Sequence, residues 1–212
     1  TVRAALSRFE SSGEPFCGDV DPSTAGNGSL MRLAPLVLYA FRTPDALLRL
    51  AADSSRTTHG AAEAIECCQL SAWIMRAALS GVRKSDLLPT CGVDWYQPAV
   101  AHLAEGRFKN KSVTQIKGTG YCVESLQAAL WSFFSTNSFT EAVLVAANLG
   151  DDADTTGAIV GQLAGAYYGA RSIPVAWRER LAMRSDIEGM ARRLFQRFGG
   201  TARYVTADAS GN

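Results

Sequence analysis

Apolar residues recur along most of the chain at intervals of three and four, and almost nowhere do apolar and polar positions alternate. That rhythm predicts helix after helix. Thr43 followed by Pro44 supplies an N-cap with proline at the first helical position, and "DALLRLAADSSR" continues it with helical spacing. "AAEAIECCQLSAWIMRAAL", from Ala61 to Leu79, is longer, with Ala64, Ile65, Cys68, Ala72, Met75 and Leu79 in one stripe. "VESLQAALWSFF", "FTEAVLVAANL" behind the capping Ser138, "TTGAIVGQLAGAYY" and "DIEGMARRLFQRF" complete the set. Between Ser80 and Gly118 the rhythm breaks at Pro89, Gly92, Pro98 and Gly106, which predicts irregular connection with short helices. The fold class expected is all-α.

The chain has 212 residues, 47% hydrophobic and 19% charged, enough for a single compact domain over residues 1–212. Its net charge of +1 leaves no basic excess for a nucleic-acid backbone and no polybasic run for a membrane surface. The longest apolar run, "LAPLVLYAF" from Leu33, is too short to span a bilayer and contains Pro35. The five cysteines, Cys17, Cys67, Cys68, Cys91 and Cys122, form no C-x-x-C pair and read as reduced thiols of a cytoplasmic protein. None has a nucleophile's setting beside His59 or His102, and nothing in the pattern fixes an oligomeric state.

Candidate chemistry is concentrated in "NLGDDADTTGAIVGQLAGAYYG", Asn148 to Gly169. Asp152 and Asp154, two residues apart, would diverge on a helix, so to act together they must sit in the turn before it, with Asp154–Thr155 as the helix start. Alone, such residues simply cap a helix and meet its positive end. Here the flanks on both sides are apolar, and like charges crowded between buried elements need a cation. Two carboxylates and a threonine hydroxyl are hard oxygen donors, suited to Mg²⁺ or Mn²⁺. Gly157, Gly161, Gly165 and Gly169 follow every four residues on one face, a pattern predicting that another helix approaches there with no room for side chains.

Three weaker stretches accompany it. "STAGNGSLMRLAPL", Ser23 to Leu36, surrounds Asn27 with small residues before a helix whose first-turn N–H groups suit an anion. "TTHG" places His59 ahead of the long helix, and "GTGYCVES" puts Tyr121 on a glycine-rich turn opening another.

Taken in order, "GNGSLMR", "TH", "GTGYCVESLQAALWSF" and "GDDADTTGAIVGQLAGAYYG" resemble the ADP-ribosylglycohydrolase family, most of all its bacterial members similar to the dinitrogenase-reductase-activating glycohydrolase. The resemblance covers most of the span from Pro22 to Leu181. It implies an all-α orthogonal multi-helix fold with a dinuclear Mg²⁺ or Mn²⁺ site in a cleft that receives ADP-ribose, and a substrate that is an ADP-ribosylated protein or a small ADP-ribosyl conjugate. Asp152, Asp154 and Thr155 match the family's C-terminal metal ligands, and Asp151 stands where other members carry glycine. Thr24, Gly26, Asn27 and Gly28 match the loop around the diphosphate and distal ribose, while His59 and Tyr121 match residues lining the ribose end. No catalytic base is identified. The family's N-terminal Thr-Asp-Asp type motif, which supplies the rest of the metal site, occurs nowhere in the chain. The expectation is therefore a domain lacking its N-terminal helices, or a degenerate member that binds ADP-ribose or serves structurally without catalysis.

Overall fold

The computed structural model describes residues 1–89 and 93–199; Cys91 and Gly92 lie outside the described residues. It is built of α-helices and short tight turns, with no strand among the described residues beyond two isolated bridges, Asp19 to His59 and Gly26 to Tyr121. No helix is long and apolar enough to cross a membrane among them.

α1 (Val2–Ser12) had no clear signal in the sequence, because only Ala5 of its residues is buried. A 3₁₀ turn at Leu30–Arg32 precedes the short α2 (Ala34–Tyr39), and α3 (Pro44–Arg56) follows. Thr43 occupies the N-cap of α3 but its hydroxyl donates backward to the Ala40 carbonyl, so Pro44 sets the start without a side-chain cap. α4 (Ala62–Leu79) is the central helix and packs on α3, α6 and α8. Its predicted single stripe is in fact burial around most of the circumference, with Cys67, Cys68, Leu70, Ala72 and Ile74 all enclosed. Glu66 is buried with them because its carboxylate accepts the N–H groups of Tyr96 (3.1 Å) and Gln97 (3.0 Å), which lead into α5 (Pro98–Ala104).

The stretch between α4 and α6 is irregular, as its broken pattern predicts, with α5 and 3₁₀ turns at Lys84–Asp86, Arg107–Asn110 and Val113–Gln115. α6 (Cys122–Phe134), α7 (Phe139–Asn148) and α8 (Ala153–Tyr168) then form a packed trio. Ser138 caps α7 as expected, its Oγ accepting the Glu141 N–H at 3.1 Å. Short α9 (Val175–Arg180), amphipathic α10 (Arg184–Leu194) and a π-helical turn at Phe195–Gly199 end the described fold.

The glycine stripe of α8 behaves differently from expectation. A side chain placed at Gly157 or Gly161 would meet nothing within 4 Å, and at Gly165 only Phe139 Cε2 at 3.9 Å, an ordinary contact. α8 packs through Ile159, Val160, Leu163 and Ala164, which occupy another face. Four-residue spacing puts the glycines on one side of the helix without making that side the packed one. The tightest glycines are Gly18 and Gly60, where an added Cβ would lie 2.5 Å from the other's backbone.

Candidate functional site

Three segments far apart in sequence meet at the N-terminal end of α8. The Asp152 N–H donates to the Gly118 carbonyl (2.8 Å), the Asn27 N–H to the Gly120 carbonyl (3.1 Å), and the Cys122 N–H to the Ala25 carbonyl (3.0 Å). Residues 25–29, 118–122 and 150–155 are thereby tied into one junction. Gly118 is needed where it packs, since a Cβ there would approach the buried Thr156 Oγ1 to 3.0 Å. That hydroxyl has no partner among the described residues.

Asp152 sits at the N-cap, and α8 begins at Ala153, so the helix starts one to two residues earlier than the sequence suggested. Asp152 makes no side-chain capping bond; its carboxylate looks sideways instead. Oδ2 accepts from Asn27 Nδ2 (2.6 Å) and Oδ1 from the Thr155 hydroxyl (2.8 Å). These bonds hold its carboxyl below the usual range, the Asn27 amide contributing most, with Thr155 and the nearby Asp154 carboxyl adding to it against the opposing effect of burial. Asp154 Oδ1 takes the Thr155 backbone N–H at 2.9 Å. Asp152, Asp154 and Thr155 are thus brought together at one helix end. Preceding them, Asp151 adopts the left-handed region (φ 52°) directly after Gly150 (φ 81°), which makes the sharp entry into the helix.

Asn27 is buried and is the hinge of the junction. Besides Asp152, its amide reaches Ser125 Oγ (2.8 Å), and Ser125 in turn donates to the Thr119 carbonyl (2.5 Å). The expected helix after this loop is broken into the 3₁₀ turn and the six-residue α2, and what stabilises the break is Gln162 of α8. Its Oε1 accepts the Ala34 N–H (2.7 Å) while its Nε2 donates to the Leu30 carbonyl (3.0 Å). Thr24 is committed locally, donating to the Asp21 carbonyl at 2.7 Å.

His59 lies beneath that loop, only 2% exposed. A Cβ on Gly28 would come within 2.8 Å of its Cε1 and 3.1 Å of its Nε2, so the glycine is dictated by the ring. Arg32 donates to Thr58 Oγ1 (2.7 Å), leaving the Thr58 hydroxyl proton for His59 Nδ1 (2.8 Å). That assigns the remaining proton to Nε2, facing Gly26 and Gly28. Burial, with help from the Arg32 charge, lowers the imidazole to about 4, so it is neutral at pH 7. Tyr121 stands at the rim, 36% exposed, its hydroxyl donating to Glu63 Oε2 at 2.6 Å. Burial and that carboxylate both push the phenol upward.

The arrangement therefore offers an oxygen-rich helix end, a buried amide locked onto it, and a glycine loop supported from below by a neutral ring. Gln162, Ser125, Arg32 and Glu63 were not singled out from the sequence. Only Gln162 carries a signal there, as a lone amide in an otherwise apolar, glycine-rich helix.

The sequence profile of the ADP-ribosylglycohydrolase family matches residues 1–203. The ADP-ribosylarginine hydrolase Tri1 of Pseudomonas putida (strain GB-1) is 42% identical over 196 residues, which cover 92% of this chain and 53% of that protein. The ADP-ribosyl-[dinitrogen reductase] glycohydrolase of Rhodospirillum rubrum is 29% identical over 164 residues, 77% of this chain and 53% of that one. Among solved structures, an ADP-ribosylglycohydrolase-related protein complex superimposes with a TM-score of 0.84 at 46% identity, covering 92% of this chain and 67% of its own. The chain spans about half the length of these curated relatives.

Proposed function

We propose, from the premise that this chain belongs to the ADP-ribosylglycohydrolase family, that it works in a metal-dependent hydrolase releasing ADP-ribose from a modified arginine or a related ADP-ribosyl conjugate. The observation that carries the proposal is the junction at Asp152, where Asn27, Asp154 and Thr155 converge on one helix end beside the glycine loop.

The donors suit the metal that the family implies. Asp152, Asp154 and Thr155 offer only hard oxygens at a partly exposed helix end, which fits one side of a hydrated Mg²⁺ or Mn²⁺ ion. Such an ion takes about six ligands. Among the described residues no group of three or more His, Cys, Asp or Glu side chains is arranged to hold one, and on this reading Asp152, Asp154 and Thr155 would supply one side of the dinuclear site that the family implies. When bound, the metal would polarise and position a water and hold ribose hydroxyls.

The chain's own residues supply positioning. Asn27 fixes the rotamer of Asp152 and keeps it ionised, so its oxygens are presented without reorganisation. The loop from Gly26 to Gly28 lies beside the aspartates, where a diphosphate could run along its backbone, and His59 supports it without adding charge at pH 7. Tyr121, held by Glu63, borders the same loop. Hydrolysis breaks the bond from the anomeric carbon to the side-chain nitrogen, water adds to the oxocarbenium-like centre, and the proton that the water loses balances the one taken up by the departing nitrogen.

The test uses the natural full-length protein and an ADP-ribosylated arginine peptide. Release of ADP-ribose should stop with EDTA, return with Mn²⁺ or Mg²⁺, and fall on the order of 100-fold in Asp154→Asn together with metal affinity. Turnover that ignores EDTA would remove the metal from the proposal. ADP-ribose binding without any turnover would favour the non-catalytic alternative.

A further inference from the structure

On the side of the molecule formed by the C-terminal ends of α4 and α8, a cavity of about 1000 Å³ opens between α2, α9 and α10. It shares no lining residue with the aspartate junction. Its apolar walls include Leu38, Leu79 and Ala166, and its outer side is α10, fastened to the body where Phe195 packs on Phe41 (5.4 Å) and Phe198 on Tyr39 (4.6 Å). Ligand sites in proteins occupy roughly 300–1,000 Å³, so the space suits a small organic molecule.

The charge around it is lopsided. Among the described residues, Arg42, Arg178, Arg184 and Arg192 line the cavity against the single carboxylate of Glu188. Arg184 Nε pairs with Glu188 Oε1 at 2.8 Å, which neutralises one of the four. Arg178 Nε is buried and has no hydrogen-bond partner among the described residues, an arrangement that is costly unless an acceptor arrives from elsewhere. Guanidinium groups above an apolar wall match a molecule with an acidic head and an apolar body.

We propose that this cavity is a second binding site, separate from the aspartate junction, for an amphipathic organic anion carrying a sulfonate-, phosphate- or carboxylate-type head. The ligand's apolar body lies against Leu38, Leu79 and Ala166, and its head meets Arg178, Arg42 and Arg192. The site is independent of the proposed hydrolysis and stands or falls without it.

The test is fluorescence titration of the 212-residue chain with 8-anilinonaphthalene-1-sulfonate and, in parallel, with its uncharged counterpart N-phenyl-1-naphthylamine. The sulfonate should bind one to one and at least tenfold more tightly than the neutral probe. Arg42 and Arg192 are exposed, so Arg42→Gln and Arg192→Gln should keep the native circular dichroism and melting temperature. Each should weaken the sulfonate about fivefold and leave the neutral probe unchanged, and Arg192→Lys should recover most of the loss. Arg178→Gln should have the largest effect. Equal affinity for both probes, or sulfonate binding within twofold of wild type in the folded Arg42→Gln and Arg192→Gln variants, would overturn the proposal.

Discussion

Replacing Gly28 by alanine tests the contact on which the loop's geometry rests. The new methyl carbon would sit 2.8 Å from His59 Cε1 and 3.1 Å from Nε2, against the 3.4 Å or more of ordinary contact. The backbone at Gly28 lies outside the left-handed region, so alanine meets no torsional penalty and the whole effect must come from the collision. The ring cannot simply swing aside: it is 2% exposed and its Nδ1 is engaged by Thr58. Forcing a methyl into such a site costs about 1–3 kcal/mol. Chemical denaturation of wild type, Gly28→Ala, His59→Ala and the double variant separates this from other causes. Removing the ring vacates the space that the methyl needs, so Gly28→Ala should cost under ~0.5 kcal/mol in the His59→Ala background, a coupling of about 1–2 kcal/mol. Additive losses would refute the packing argument, and an undiminished stability of Gly28→Ala alone would refute it more directly.

Gly161→Ala should stabilise the chain by up to ~1 kcal/mol, because the position is helical and open, and a lower unfolding midpoint would show that something packs there after all. His59 has a folded value of about 4 against an ordinary 6.5, so its contribution is complete above pH 6.5 and is lost as pH falls toward 4. Between pH 7 and 5 the wild type should lose about 1–2 kcal/mol more than His59→Gln; parallel stability profiles would mean that the imidazole is not buried in its neutral form. Asp151→Gly should be neutral or stabilising by up to ~1 kcal/mol in thermal melts, since it relieves a left-handed aspartate, whereas a loss would assign the Asp151 side chain a structural role.

Helices that turn one apolar stripe to the core are legible, α3 from its period and Pro44 and α7 from period and cap together, down to the Ser138 bond to Glu141. α1 was not, because it buries a single alanine and so has no stripe to read. Spacing locates residues on a helix face but is silent on what covers that face. For that reason the glycines of α8 were misread, and the tight pair Gly18 and Gly60, isolated in sequence, passed unnoticed. The aspartate turn was legible as a cluster of charge between apolar flanks, yet its main partner, Asn27, is 125 positions away. Neither that bond nor the grip of Gln162 on the loop, across 128 and 132 positions, follows from local pattern.

Those separations also set a timetable. A ribosome adds roughly 5–20 residues per second, so about 6–25 s pass between synthesis of Asn27 and of Asp152. Throughout that interval the loop exists without the helix end that orders it, and even Ser125, which precedes Asp152, is 98 positions downstream. The junction is therefore a late event, reached when α8 docks and several long loops close at once. A nascent chain halted before residue 152 would carry its α3–α4 pair and its glycine loop, but no joint between them and the aspartates.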